Sequence, residues 1–114
     1  MVNRRVSSLD AVFGALADPI RRGILEELSQ NEATVGELSK PYRVSAPAIS
    51  RHLRVLERAG LIEREKRGRN HRCRLRTNPI DEVQAWITKH RVFWERQFDN
   101  LESYLESTAS GQEQ

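Results

Sequence analysis

Between Ser45 and Arg76 the chain changes its repeat once, and that change limits the folds open to it. SAPAISRHLRVLERAG sets Ile49, Leu53 and Leu56 at helical spacing, with Val55 at the edge. Ser45 is placed to cap this helix, and Gly60 is placed to end it. LIEREKRGRNHRCRLR then alternates at once. Ile62, Arg64 and Lys66 interleave with Glu63 and Glu65, and Arg72, Arg74 and Arg76 with Cys73 and Leu75. Two strands around a turn at Arg67-Gly68-Arg69-Asn70 satisfy that pattern. A helix that feeds a basic hairpin without a linker is the unit the rest of the chain must support.

Upstream, three more helices are expected. Ser7 or Ser8 can cap the first, which carries Leu9, Val12, Phe13 and Leu16 along one side. Asp18-Pro19 is an N-cap followed by proline at the first helical position. The second helix buries Ile20, Ile24, Leu25 and Leu28, and Gly23 within it marks a close approach by a neighbour. Thr34 caps a short third helix, and Glu37 completes a capping box. Val35 and Leu38 face inward there, and Pro41 follows the end.

Asn78-Pro79 opens a long last helix, expected from about 79 to 106. Val83, Trp86, Ile87, His90, Trp94, Gln97, Phe98, Leu101 and Leu105 keep three- and four-residue spacing along it. That stripe is larger than one small core requires, so it predicts an interface. The expected order is α-α-α-α-β-β-α, mainly helical with a small β-hairpin. It forms one domain over residues 1–106, with a flexible tail over 107–114.

The chain has 114 residues with 38% hydrophobic and 31% charged side chains, enough for one modest core. Residues 1–79 carry 16 Lys+Arg against 9 Asp+Glu, and residues 80–114 carry 3 against 7. The basic body points to a polyanionic partner. A single cysteine, Cys73, excludes an intrachain disulfide and fits a reducing compartment. No apolar run approaches the roughly 18 residues of a membrane helix, and MVNRRVSSLDAVFG lacks the apolar centre of a signal peptide. A cytoplasmic protein is expected.

The short third helix, the turn and the small-fronted fourth helix have the sequence shape of a helix-turn-helix. A recognition helix meets base edges with its N-terminal residues, where large apolar groups would hold it off. Ser45, Ala46, Pro47, Ala48 and Ser50 are small enough to permit that approach. Arg51 and Arg54 carry guanidinium groups suited to phosphate or guanine. His52 has two readings, a donor to phosphate or a contact that closes the turn between helices. Thr34 joins the candidates from the start of the third helix. Arg67, Arg69, Asn70 and His71 form the hairpin tip, flanked by Arg64, Arg72 and Arg74.

ALADPIRRGILEEL, TVGEL, SAPAISRHLRVLERAGLIEREKRGRNHRCRL and FWERQFDNLESYLE resemble the ArsR-like (ArsR/SmtB) winged-helix transcriptional repressors. The resemblance runs from about Leu9 to Leu105. It implies a dimeric winged helix that binds double-stranded DNA, with the first and last helices at the dimer interface. Leu9, Val12, Phe13, Val83, Trp86, Ile87, His90, Trp94, Phe98, Leu101 and Leu105 are the interface candidates. It also implies a recognition segment over Ser45 to Arg54 and a wing tip over Arg67 to His71.

Many relatives of this kind sense metals, and here the chain departs from them. A Cys-x-Cys site in the third helix would fall on Thr34 and Gly36, which offer no thiolate. A site on the last helix would fall on Asp81, Val83, Trp94 and Gln97, of which only Asp81 is a good ligand. His71 and Cys73 share a strand face, but two ligands do not make a zinc site. No metal and no cofactor is therefore expected. Nothing places a nucleophile beside a base, so an enzyme is not expected either. The competing reading is a winged-helix module that docks on another protein and leaves DNA alone.

Overall fold

A computed structural model of the chain describes residues 4–112, with side-chain surroundings over 8–109. The order is α1 (Arg4–Leu16), α2 (Pro19–Leu28), β1 (Ala33–Thr34), α3 (Val35–Ser39), α4 (Ala46–Arg58), β2 (Ile62–Arg67), β3 (Asn70–Leu75) and α5 (Asn78–Gln112). Contacts divide the chain into two compact units, with the boundary between Val83 and Gln84. Among the described residues no helix is long and apolar enough to cross a membrane.

In the first unit the helix ends obey local chemistry. The Asp18 carboxylate accepts the N–H groups of Ile20 and Arg21 at 2.9 and 3.1 Å, ahead of Pro19. Thr34 and Glu37 form the reciprocal capping box of α3. Ser45 Oγ accepts the Ala48 N–H at 3.3 Å and starts α4. At the other end of α4, Gly60 N–H donates to Glu57 O and Leu61 N–H to Leu56 O. This is the Schellman arrangement, and it requires the left-handed φ of 75° that Gly60 adopts.

The core is made by Val12, Ala15, Ile24, Leu25, Leu28, Leu38, Ile49, Leu53, Leu56, Leu61, Ile62 and Cys73, with Ala33, Ala59 and Val83 completing it. No polar or charged residue is buried among those described. At Gly23, a Cβ would strike the Tyr42 hydroxyl, which identifies the neighbour that the glycine admits.

The hairpin pairs Ile62 with Leu75 and runs to Arg67 with Asn70. Gly68 has φ of 62° and Arg69 does not share it, the φ pattern of a type II′ turn. The sheet has a third strand that the expected order lacked. β1 lies on the far side of β3, giving the order β1-β3-β2, with Ala33 opposite Cys73.

Two further expectations are corrected. The helix α1 begins at Arg4, ahead of Ser7 and Ser8, so neither is its first cap. The last helix starts at Asn78 and continues to Gln112, past the expected end at 106 and through most of the expected tail. No proline interrupts it and no glycine precedes Gly111, while Thr108 Oγ1 bonds the Tyr104 carbonyl at 2.9 Å.

The second unit is the body of α5, residues 84–112. Trp86 and His90 stack at 4.1 Å, and His90 meets Trp94 edge-on at 6.4 Å. Arg91 pairs with Glu95 one turn on, at 2.9 Å.

Gly60→Ala should lower stability by about 1–2 kcal/mol, since a Cβ is disfavoured in the left-handed region. Urea unfolding measures it; an unchanged midpoint would contradict the assigned helix stop.

Candidate nucleic-acid interface

The rotation of α4 is set by burial. Ile49, Leu53 and Leu56 have no exposed surface, so the opposite side must face out. Arg51, Arg54 and Arg58 occupy that side and are exposed, as are Ser45, Ala46 and Pro47 at the front. Ala48 and Ser50 are half-buried on its flank.

Among the described residues Arg51, Arg54 and Arg58 make no ion pair and no side-chain hydrogen bond. The same is true of Lys40 and Arg43 before α4, and of Lys66 and Arg69 in the hairpin. Sequence reasoning passed over Lys40, Arg43, Arg58 and Lys66. Arg43 was legible, because it stands two residues before the Ser45 cap.

The other hairpin cations are matched by carboxylates. Glu63 takes both Arg74 and Arg76 at 2.7 Å. Arg72 reaches Glu32 at 3.1 Å, and Arg67 lies 3.5 Å from Glu65. Arg64 lies 2.8 Å from Glu57 of α4. The hydrogen bond from Arg74, reinforced by the charges of Arg74 and Arg76, holds the Glu63 carboxyl below the usual range. Positive charge is thus muted along the strands and left open at the tip, where Arg69 and Asn70 are exposed and His71 is half-buried.

His52 departs from the expected duplex-facing role. Its Nδ1 lies 3.2 Å from Arg21 Nη1 and 3.9 Å from Asp18 Oδ2. Arginine only donates, so Nδ1 is the acceptor in this contact. The contact links α4 to the start of α2, whereas the alternative reading had His52 close the turn between helices. Thr34 is also committed, since its hydroxyl serves the capping box.

Of the interface candidates, Val12 and Val83 are 0% and 6% exposed. They belong to the first unit's own core and present no surface to a partner. Leu9 is half-buried against that core, while Phe13 is exposed at its edge. Trp86 and His90 are half-buried. Ile87, Trp94, Phe98, Leu101 and Leu105 are exposed, Phe98 by 70%.

Cys73 is fully buried, and burial pushes its thiol up, away from the reactive thiolate. Among the described residues no group of three or more His, Cys, Asp or Glu side chains is placed to hold a metal ion.

The family described as bacterial regulatory protein, arsR family, matches residues 18–64, which span α2, α3, α4 and the start of β2. The transcriptional repressor SdpR of Bacillus subtilis is 32% identical over 79 residues, covering 69% of this chain and 88% of that protein. The crystal structure of an ArsR family transcriptional regulator, RHA00566, superposes with a TM-score of 0.76 at 39% identity, covering 78% of this chain and 92% of that one. An ArsR-like transcriptional regulator from Rhodococcus sp. RHA1 superposes with a TM-score of 0.72 at 30% identity, covering 86% and 92%.

At Asp18, burial raises the carboxyl, but the N–H groups of Arg21 and Ile20 and the Arg21 charge outweigh it and hold it below its usual value. A depressed folded value adds stability above the ordinary carboxylate range and loses it as pH falls through the folded value. Asp18→Ala should therefore cost about 0.5–2 kcal/mol at neutral pH and less in acid. Denaturant melts across pH check this; a pH-independent cost would refute it.

Proposed function

The chain belongs to the ArsR family of bacterial regulatory proteins and is a transcriptional regulator, and from that premise we propose that it acts as a homodimeric repressor at a palindromic operator. The observation that carries this reading is the outer side of α4. Arg51, Arg54 and Arg58, exposed and without an ion pair among the described residues, stand behind a capped, small-residue front. Such a surface fits the major groove, with guanidinium groups on guanine or phosphate. Arg67, Arg69, Asn70 and His71 at the wing tip fit the adjacent backbone or minor groove.

The dimer is supported by the exposed apolar side chains of α5, from Ile87 through Trp94 and Phe98 to Leu105, and separately by the exposed Phe13 of α1. A surface of that kind is unusual on a free protein. Two-fold symmetry would bring the two α4 helices about 34 Å apart, one turn of duplex. The protein works without a metal or cofactor on this reading, because Thr34 and Gly36 cannot replace thiolates. It has no catalytic role and works in the cytoplasm.

Changing Arg51 and Arg54 together to Ala should weaken duplex binding about 100-fold, as expected for two charged hydrogen bonds, and leave the dimer intact by sedimentation. Unchanged affinity would favour the protein-docking alternative. Wild-type affinity should fall steeply with salt, with a log–log slope near −0.9 per neutralised phosphate; a flat response would refute the phosphate contacts. Dialysis against zinc, copper or cobalt should leave both melting temperature and operator affinity unchanged. Tight stoichiometric uptake with release of DNA would overturn the metal-free reading.

A further inference from the structure

A cleft of about 390 Å³ opens between the start of α3, the flank of α4 and the wing. Thr34, Ser50, Arg64, Arg69, Asn70 and His71 line it, and no carboxylate does. Its chemistry is that of an anion site. Arg69 supplies charge with no ion pair among the described residues, Arg64 a guanidinium shared with Glu57, and Ser50, Asn70 and His71 add hydroxyl, amide and imidazole donors.

Arg64 is the unusual member. Its side chain is only 19% exposed, and Nη2 lies 2.8 Å from the Glu57 carboxylate. Nε and Nη2 are sealed from solvent, yet neither makes an aligned hydrogen bond. Arg64 lines the cleft, and Nη1 is the guanidinium nitrogen not among those two buried atoms. Glu57 sits on α4 and Arg64 on β2, so the ion pair also fixes the recognition helix against the wing.

We propose that this cleft seats one phosphodiester of the duplex backbone in each half-site, with Arg64 at its back and Ser50 and the wing tip at its sides. The inference rests on the DNA-binding reading above. A strand bordering the groove that holds α4 must pass between that helix and the wing, and the cleft lies there. Arg64 is thereby a ligand in its own right, distinct from the outward-facing Arg51 and Arg54.

The test uses the full chain and a duplex selected from a random pool by the wild-type protein. Backbone phosphates are replaced one at a time by neutral methylphosphonates, and binding is measured for wild type and Arg64→Gln. One position per half-site should cost the wild type about tenfold, the size of a charge-assisted hydrogen bond, and cost Arg64→Gln less than about twofold. The log–log salt slope of the variant should be shallower by about 0.9 per protomer.

Arg64→Gln leaves Glu57 without its partner, so Glu57→Gln/Arg64→Gln is measured beside it to restore the local charge balance. The double variant gives the same readout where the single one fails to fold. A scan in which no position distinguishes these variants from wild type overturns the cleft assignment and leaves the DNA-binding reading standing. A wild-type protein that retains no duplex from the pool overturns that reading, and the assignment with it. Inorganic phosphate is titrated separately while the amide resonances of Ser50 and His71 are followed. Saturable millimolar binding that Arg64→Gln abolishes, together with an uncoupled scan, would assign the cleft to a free anion and overturn the proposal.

Discussion

Ile49, Leu53 and Leu56 have no exposed surface, and the direction of every other side chain on α4 follows from their burial. A helix turns about 100° per residue, so choosing its inside also chooses its outside. Full burial of one such side chain contributes about 1.5–3 kcal/mol, whereas an exposed ion pair contributes about 0–1 kcal/mol. The core therefore decides the rotation of α4, and its cations occupy whatever side remains. The same core extends through the Schellman turn. Leu61 is buried immediately after Gly60, and its carbonyl accepts the Arg76 N–H at 2.8 Å. The hairpin is thus tied at its base to the helix that precedes it, and the relation between recognition helix and wing is a property of packing.

Charge refines what packing has placed. The strands are rich in arginine, but Glu32, Glu57, Glu63 and Glu65 oppose most of it. Apart from the partly buried Arg64–Glu57 pair, these pairs stabilise the sheet little, because they are largely exposed. Their effect is directional. They engage Arg72, Arg74 and Arg76, while Lys66 and Arg69 in the hairpin, Lys40 and Arg43 before α4, and the α4 arginines have no ion pair among the described residues. A chain with net charge +3 thereby concentrates its unpaired cations on α4, the segment before it and the hairpin, rather than spreading them evenly.

What the sequence made legible was local. The caps at Asp18, Thr34 and Ser45, the stop at Gly60 and the turn at Gly68 each depend on residues within a few positions of one another, and all are present. What it concealed was distant. The strand β1 is two residues long, and its pairing partners, Cys73 and Arg72, lie some forty positions away. The same separation hid the Arg72–Glu32 pair, so Arg72 looked available for phosphate. Val12 shows a different limit. An apolar stripe on α1 announces burial, but spacing alone cannot tell a protomer's own core from a partner's surface, and the core claimed Val12 while leaving Phe13 exposed. The extent of α5 was missed because no breaker marks its end and polar composition was read as fraying.

Arg21 explains how this small unit keeps its helices in register. Its Nε and Nη2 donate to the carbonyls of Ala15 and Gly14 at 2.8 and 2.9 Å in the last turn of α1, where Gly14 O also accepts the Ala17 N–H. A cation there also complements the helix dipole. Nη1 of the same guanidinium meets His52 of α4, and the Arg21 backbone N–H is held by the Asp18 cap. One residue of α2 therefore joins α1 to α4. Turning either helix alone would break charged hydrogen bonds worth about 1.5–3 kcal/mol each, more than an isolated surface contact could restore. A second protomer seated on α1, as proposed, would be held in fixed relation to the reading side of α4. The spacing of two recognition helices would then be set by this interior network rather than by the mobility of any loop.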